Sequence, residues 1–450
     1  MSFVTTAVAF VVTLGVLIVI HEYGHYWVAR RCGVKVLRFS IGFGRPLVRA
    51  VRGPDRTEWV VAAIPLGGYV RMLDERDDDI GPIAPADLPR AFNRQPVGRR
   101  IAIVLAGPLA NLLLAVGVYW GLNVVGVMEP KAVVAAPAAG SPAERAGLQR
   151  GDLVLAIDDE PVRSWNELNW AVLKRAVDRR AFDIQVQGAN GVTRALRLDL
   201  SGLAAEDVEG NPLPRVGLAP YAGPPRIGRL AEGGAAQRAG LEPGDRVLEI
   251  DRRPVGSARE LIETIRSAPG VALELLIERD GRTRTVTVTP VPVVDEGGRT
   301  VGRVGAEVGD RPELVTVRYG PIESVGLAVD RTWDTAIFSL RMLGKMITGA
   351  ASWKNLSGPV TIADYAGKTA SIGLVAYLSF LALVSISLGV LNLLPIPMLD
   401  GGHLLYYLVE ILKGSPPADW VVQWGQRAGI GLLVLLTALA LYNDLTRLLL

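Results

Sequence analysis

The sequence predicts a multi-span α-helical membrane protein with four transmembrane helices, a membrane-associated β-hairpin and two tandem α+β repeat modules. Three observations support this prediction: four long apolar segments, a charged and glycine-rich middle region, and an internal repeat within that region. Half of the 450 residues are hydrophobic and the mean hydropathy is +0.30. That value is high for a soluble protein and low for a bundle made only of membrane helices.

Composition also argues against some classes of protein. The formal net charge is only +3 and no long basic stripe occurs, so nucleic acid is not expected as a partner. The single cysteine, Cys32, cannot form an internal disulfide. We therefore expect neither stabilisation by internal disulfides nor catalysis by cysteine.

The first apolar segment, residues 4–29, carries His21, Glu22 and His25 towards its end. Histidines four residues apart lie on one face of a helix. Two imidazoles placed in this way can ligate a metal, with the glutamate beside the water that the metal activates. The alternative is a pair of histidines that reach the interface at a helix end. Glu22 would then be an unexplained cost, because ionisable side chains in a membrane helix usually mark a functional site.

Positive charge gives the first segment its orientation. No lysine or arginine precedes it, and four follow it: Arg30, Arg31, Lys35 and Arg38. By the positive-inside rule the N-terminus lies outside and residue 30 onward begins inside. The second apolar segment, residues 101–128, follows three arginines and so runs back from inside to outside. Within it, Asn111 is expected to form a hydrogen bond between helices rather than to take part in chemistry.

Residues 35–73, between these two segments, hold two β-rich runs around a turn at Gly53, which predicts a hairpin. Glycines within strands let a backbone approach another group closely. The hairpin has four of them: Gly42, Gly44, Gly67 and Gly68. The functional interpretation is a sheet edge that holds an extended chain beside the metal. The alternative is an ordinary hairpin on the inner side.

The middle region, residues 130–320, contains an internal repeat. The first copy is SPAERAGLQRGDLVLAIDDEPV, residues 141–162, and the second is GAAQRAGLEPGDRVLEIDRRPV, residues 234–255. Matching positions are 93 residues apart, as Gly147 and Gly240 are (240 − 147). The pattern AGL-x-x-GD, followed by an alternating strand and a turn, resembles PDZ domains of bacterial envelope proteases. Such domains usually take an extended peptide by β-addition, but the copies could equally restrict access to the membrane site.

Residues 321–350 read as one or two amphipathic helices, whose charges favour an interfacial position over a crossing. A third apolar segment, residues 371–394, ends in NLLPIPMLDGGH, where two prolines stop the regular helix. A last apolar segment, about residues 428–446, closes the chain.

The order of the spans brings the two ends of the chain together. The first segment runs inward, the second outward and the third inward again, so the first and third segments end at the same side of the membrane. A catalytic zinc bound by two histidines needs a third protein ligand and an open position for water. Asp400 is the favoured candidate because a carboxylate oxygen is a normal zinc donor, and His403 is its competitor.

Several motifs together resemble the site-2 protease family of intramembrane zinc metalloproteases. They are HEYGH at 21–25, AGPLAN at 106–111, NLSGP at 355–359, NLLPIPMLDGGH at 392–403 and the tandem repeat. The resemblance covers essentially the whole chain and implies an intramembrane zinc metalloendopeptidase. It implies that Zn²⁺ is ligated by His21, His25 and Asp400. It implies that Glu22 is the catalytic base and that Asn392 contacts the substrate or polarises its carbonyl. It also implies that Gly42 and Gly44 belong to a substrate-binding β element.

The resemblance further implies regulated intramembrane proteolysis and envelope stress signalling in the bacterial inner membrane. The expected substrates are single-span membrane proteins: an anti-sigma factor after trimming on its outer side, and remnant signal peptides. Peptide ligands of the PDZ-like domains are a further expected class of partner. Both termini and the PDZ-like domains are expected on the periplasmic side, with the active site near the cytoplasmic side.

Two other classes of function were weighed against a protease. A catalytically inert, membrane-anchored PDZ scaffold would need a closed structural metal site with four protein ligands, and His403 would be the fourth. A transporter would need more spans and an inverted repeat of hydropathy.

The predicted domains follow from the same boundaries. They are an N-terminal membrane part (1–129), a first PDZ-like domain (130–221), a second PDZ-like domain (222–312), an amphipathic helical linker (313–370) and a C-terminal membrane part (371–450).

Overall fold

A computed structural model describes residues 3–449, apart from residues 78, 80, 189, 205–211, 296, 310–311, 350 and 354–355. Asn355 of the NLSGP motif therefore lies outside the described residues. The chain forms two compact units: one comprises residues 1–127 and 318–450, and the other comprises residues 128–317. The finer domain boundaries within these units stay a prediction.

The elements are numbered in chain order. The first unit begins with α1 (Phe3–Arg31), β1 (Val36–Arg52), β2 (Thr57–Met72), a 3₁₀ turn (Leu88–Arg90) and α2 (Val97–Val125). Strand β3 (Val127–Pro130) begins at the last residue of this segment and continues into the second unit. The second unit goes on with α3 (Pro142–Arg145), β4 (Leu153–Ile157), β5 (Glu160–Pro161), α4 (Trp165–Val177), β6 (Phe182–Gln187), β7 (Thr193–Leu198), α5 (Leu213–Val216), β8 (Arg226–Leu230), α6 (Ala235–Arg238), β9 (Arg246–Ile250), β10 (Arg253–Pro254), α7 (Ala258–Ser267), β11 (Leu273–Arg279), β12 (Arg282–Val288), β13 (Val291–Val294), β14 (Thr300–Arg303), β15 (Ala306–Gly309) and β16 (Leu314–Val317). The first unit resumes with α8 (Pro321–Ile347), α9 (Pro359–Ile372), α10 (Leu374–Asn392), α11 (Asp400–Lys413) and α12 (Asp419–Leu449).

Four helices in the described part of the chain are long and apolar enough to cross a membrane: Val4–Arg31, Val97–Val125, Leu374–Asn392 and Trp420–Arg447. They correspond to the four predicted spans. The second ends three residues before its predicted end, because Gly126 takes a φ of 88° and residues from Val127 onward form a strand. The last begins eight residues earlier than predicted, since the helix continues through a more polar first part.

Helix α8 is one continuous amphipathic helix rather than two. One face is buried, and its Ala336 packs in a cluster with Ala115 of α2 and Ala382 of α10. Trp333 and Ile322 are exposed on another face. Whether α8 lies in the interface, as its charges indicate, stays a prediction.

Small residues let the membrane helices approach closely. A side chain at Gly24 of α1 would overlap the backbone of Ala106 in α2, and a Cβ at Gly389 of α10 would lie 3.1 Å from the Pro108 carbonyl oxygen. Helices in membranes associate through such close packing because no hydrophobic force draws them together in lipid. The glycines therefore let α1 and α10 each pack closely against α2.

Strands β1 and β2 form an antiparallel pair with an unusual double register. Residues 38–41 pair with residues 58–61 on one side and with residues 68–71 on the other. Left-handed glycines at Gly42 (φ 91°) and Gly44 (φ 86°) occur where β1 bends, and Gly67 (φ 120°) does the same for β2. The two strands thus fold into a small sheet in which residues 68–72 form an edge.

Helix α12 is tied to the start of α9 by a buried carboxylate. Asp444 accepts hydrogen bonds from the backbone N–H groups of Gly358, Val360 and Thr361, and from the Thr361 hydroxyl. A carboxylate at this position satisfies otherwise unpaired N–H groups of a helix N-terminus. Any side chain at Gly358 would collide with Asp444 and the Ala440 backbone, so the glycine and the aspartate depend on each other.

The second unit contains two modules with the same order of elements. Helix α3, strand β4, strand β5 and the start of α4 recur at the 93-residue offset as α6, β9, β10 and α7. The first module has a four-stranded sheet in the order β5-β4-β6-β7. The second has the path β12-β11-β9-β8-β15, with β10 paired to β9. Each module encloses its own hydrophobic core.

The repeated Gly-Asp pair has a structural explanation. Asp152 is 2% exposed; it accepts a hydrogen bond from the Gln149 backbone N–H and pairs with Arg194. Asp245 is 1% exposed and does the same with Glu242 and Arg279. A buried carboxylate needs such partners. The motif therefore closes the same loop in both modules.

Candidate metal centre

Three side chains from distant parts of the first unit meet at one point. Nε2 of His21 lies 3.2 Å from Nε2 of His25, and Oδ2 of Asp400 lies 3.2 Å from the former and 3.6 Å from the latter. Both imidazoles are buried, each with 8% of its residue surface exposed. Among the described residues these three form a group whose ligand atoms all lie within 4.8 Å of one another.

The two histidines are brought together by helical spacing alone, as their four-residue separation predicts. The position of Asp400 depends on contacts between α11 and the loop before it. Helix α10 ends at Asn392 and α11 begins at Asp400, so the predicted break at the two prolines is present. Side chains at Gly401 or Gly402 would collide with the backbone of residues 393–397. The two glycines thus let the first turn of α11 rest on the preceding loop and place the Asp400 carboxylate.

A guanidinium–carboxylate pair fastens α11 to α2 further along. Arg100 donates to both oxygens of Glu410, at 2.6 and 3.1 Å, and its guanidinium lies 4.9 Å from the centre of the Tyr407 ring. Both charged side chains are largely buried, at 10% and 14% exposure. Bidentate pairs of this kind fix geometry as well as adding energy. The pair therefore holds the helix that carries Asp400 against the helix that supports the histidines.

His25 has a defined tautomer in this arrangement. Its Nδ1 lies 2.8 Å from the carbonyl oxygen of Ile103, which can only accept, so Nδ1 carries the proton. Nε2 is then left with a lone pair that faces His21 and Asp400. Gly107 packs directly against this ring, and a Cβ there would overlap Nε2 of His25. Sequence reasoning missed this role, although Gly107 stands in the AGPLAN motif.

His21 contacts a buried carboxamide on the other side of its ring. Nδ1 lies 3.3 Å from Nδ2 of Asn111, which is fully buried. The expected hydrogen bond between helices is therefore present, and the histidine of the metal-ligand pattern is its partner. The sequence alone gave no sign of which group this asparagine would meet.

A pocket of about 770 Å³ opens beside the three ligand atoms. Glu22, Asn392 and His403 line it, as do residues 67–72 along the edge of the sheet. Gly68 allows this edge to approach, since a Cβ there would lie 3.1 Å from Cγ of Glu22. Phe43 lines the pocket, whereas Gly42 and Gly44 on either side of it do not. A role for these two glycines in substrate binding stays a prediction.

Charged side chains from the segment after β2 and from its last residues form part of the pocket lining. Arg71 donates two hydrogen bonds of 2.9 Å to Asp77. The bond from Arg71 lowers the pKa of Asp77, which is therefore ionised at neutral pH. Asp74 also lines the pocket. Such groups retain water, so the pocket lining combines charged side chains with apolar ones.

The donor set fits zinc. Two neutral imidazole nitrogens and one carboxylate oxygen are normal Zn²⁺ ligands, and a three-ligand set leaves a fourth position for water or substrate, as catalytic sites require. Oδ2 of Asp400 is buried and faces Nε2 of both histidines, at 3.2 and 3.6 Å, an arrangement that a metal shared by the three atoms would explain. His403 lines the pocket but does not belong to the cluster. Burial lowers the pKa of His403, which keeps its ring neutral near pH 7.

The sequence of the chain matches a known protein family. The model of peptidase family M50 matches residues 9–436. The chain belongs to peptidase family M50. This confirms the site-2 protease resemblance and the predicted enzyme class, an intramembrane zinc metallopeptidase.

Relatives match over their whole length. The chain is 47% identical to a predicted zinc metalloprotease of Ralstonia nicotianae, over 98% of each chain. It is 41% identical to the regulator of sigma-E protease RseP of Escherichia coli and 40% identical to the regulator of sigma E protease of Salmonella typhi, in both cases over 100% of each chain. The similarity thus includes both membrane parts and the repeat region between them.

The packing of Gly107 on His25 yields the first prediction. Gly107→Ala should displace the His25 ring and lower zinc affinity by at least the ~10–100-fold that loss of an outer partner costs. Gly117→Ala is the matched control, since Gly117 lies on the same helix with no group near its missing Cβ. Zinc content of the purified proteins, before and after mild chelation, checks this. Equal zinc retention in both variants would contradict the described packing.

Proposed function

We propose that this chain is a Zn²⁺-dependent protease that hydrolyses a peptide bond within the membrane-spanning segment of single-span proteins. The convergence of His21, His25 and Asp400 beside a pocket that also holds Glu22 carries the proposal. An open three-ligand donor set favours catalysis over a purely structural site. We assign the three residues as the zinc ligands.

The residues around the ligands divide the chemistry between them. Bound Zn²⁺ would supply Lewis acidity, which lowers the pKa of water towards ~7 and polarises the scissile carbonyl. Glu22 takes the proton from the attacking water and passes it to the leaving amine. Asn392 ends α10 at the pocket wall, where its amide can donate to the carbonyl oxygen as negative charge develops.

The edge of the sheet can bind a substrate segment whose helix has unwound. A helical segment cannot be cleaved until its backbone leaves the helix, and an exposed strand edge offers alternative hydrogen bonds. Residues 68–72 form such an edge, and they line the pocket beside Glu22. We propose that the substrate adds to this edge as a strand, with Gly42 and Gly44 shaping the bend that carries Phe43 to the pocket.

The relatives support a substrate class and a location. Two of them are named as regulators of sigma E, which supports a role in envelope stress signalling through cleavage of a previously trimmed anti-sigma factor. Remnant signal peptides have the same single-span form. The family and the bacterial relatives support the bacterial inner membrane, and the positive-inside pattern supports a periplasmic position for both termini and the repeat modules. Cleavage then occurs near the cytoplasmic side, where α1 ends.

We further propose that the two repeat modules are tandem PDZ domains. The shared element order, the paired Asp152 and Asp245 and the 93-residue offset support two copies of one domain. Placed on the periplasmic side, they would exclude substrates that still carry bulky outer domains, and they could take peptide ligands.

Substitution of the proposed base tests the chemistry. Glu22→Gln should retain zinc but lose on the order of 10²–10⁴ in cleavage rate, since a carboxamide cannot accept the proton. Asn392→Ala should also retain zinc, with a loss on the order of 10²–10³. The measurements are zinc content and cleavage of a tagged single-span substrate in detergent or liposomes. Undiminished cleavage by Glu22→Gln would refute the assignment of the base.

Removal of the repeat modules tests their role as a filter. A variant lacking residues 130–310 should cleave a single-span protein that retains its folded outer domain, which the full-length enzyme should reject. A substrate already trimmed on the outer side is the control and should be cleaved by both. If the variant cleaves the trimmed substrate yet still rejects the untrimmed one, the filter is refuted.

A further inference from the structure

One buried polar atom beside the metal centre has no partner. Asn111 is fully buried, and its Oδ1 makes no hydrogen bond within the described structure. The other end of the same carboxamide, Nδ2, lies 3.3 Å from Nδ1 of His21. A buried unpaired oxygen of this kind is unfavourable and calls for a physical explanation.

The tautomer of His21 links this amide to metal binding. A neutral imidazole carries one proton, so a ring that offers the Nε2 lone pair to a metal must carry its proton on Nδ1. Nδ2 of Asn111 is a donor, and two donors cannot share a hydrogen bond. The arrangement in which Nδ2 faces Nδ1 therefore belongs to a His21 that has its proton on Nε2.

Rotation of the amide by half a turn removes the conflict. The two ends of a carboxamide have nearly the same size and shape, so Oδ1 can stand where Nδ2 stands without repacking α1 or α2. In either orientation one end of the amide faces Nδ1 of His21, and the other end occupies the place where Oδ1 now has no hydrogen-bond partner. The contact with His21 therefore decides between them.

We propose that Asn111 is a positioning residue for the zinc site, with its Oδ1 accepting a hydrogen bond from Nδ1–H of His21 when the metal is bound. The bond holds the ring in the tautomer and orientation that direct Nε2 to the metal. This inference rests on the proposed zinc site and adds to it a residue from the middle of α2.

The second histidine supports the same logic. Nδ1 of His25 faces the carbonyl oxygen of Ile103 at 2.8 Å, which leaves Nε2 free for the metal. Ile103 and Asn111 both belong to α2, two turns apart. With Asn111 as an acceptor, one helix fixes the tautomers of both histidines of α1. Partners of this kind raise ligand basicity, and their loss typically costs 10–100-fold in metal affinity.

A pair of substitutions distinguishes an acceptor from a donor at this position. Asn111→Asp keeps an oxygen acceptor and has no amide donor, whereas Asn111→Ala has neither. If Asn111 acts through Oδ1, the zinc affinity of Asn111→Asp should stay within about tenfold of the parent, while that of Asn111→Ala should fall 10–100-fold. A role limited to donation by Nδ2 predicts equal losses in both variants, and this result would overturn the inference.

Ser385→Ala serves as the packing control. The Ser385 hydroxyl donates to the backbone carbonyl of Asn111 from α10 and is fully buried, and among the described residues it has no hydrogen bond to either histidine. It should leave zinc affinity unchanged. Affinity is measured on full-length protein by competition with a chromophoric chelator, and thermal unfolding of the zinc-free proteins shows that each variant folds.

Nitrogen-15 spectra of histidine-labelled protein report the exchange rate of the Nδ1 proton of His21, which a change in packing alone would not alter. The chain has only three histidines, so the ring signals are few. In zinc-loaded parent protein, Nδ1 of His21 should carry a slowly exchanging proton, and Asn111→Ala should accelerate that exchange. Unchanged exchange in Asn111→Ala would overturn the inference. Failure of the parent protein to bind zinc would overturn the proposed function instead.

Discussion

The structure depends on holding two imidazoles and one carboxylate together at a buried point. Removing a carboxylate from water costs several kcal/mol unless it gains compensating partners, and Oδ2 of Asp400 is buried beside Nε2 of His21 and Nε2 of His25. In the proposed zinc site, a divalent cation held by Asp400, His21 and His25 would supply that compensation and stabilise the cluster. Metal binding and the final packing of the membrane helices should therefore be coupled.

The same requirement explains why small residues concentrate around the centre. Gly107 makes room for the His25 ring, Gly68 lets the sheet edge approach Glu22, and Gly401 and Gly402 let α11 rest on the loop before it. Each acts by allowing close approach, since a side chain there would displace a ligand, the proposed base or the helix that carries Asp400. The Arg100–Glu410 pair then holds α11 against α2.

Much of this organisation could be predicted from helical periodicity and from the number of membrane spans between the two ends of the chain. The four-residue spacing predicts that His21 and His25 share a face, and counting the crossings brings Asp400 to the same side of the membrane. The supporting contacts were beyond such reasoning, because a sequence does not state which carbonyl meets Nδ1 of His25 or which ring meets Asn111. The double register of β1 was equally hidden, since it arises from bends at left-handed glycines that a strand pattern cannot locate.

The most direct test of the central claim compares the two candidates for the third ligand. Zinc is quantified by mass spectrometry in purified full-length Asp400→Ala and His403→Ala proteins, each checked for folding by its zinc-free thermal transition. The account predicts that Asp400→Ala loses zinc and that His403→Ala retains close to one ion per chain. Retention of zinc by Asp400→Ala, with its loss from His403→Ala, would contradict it.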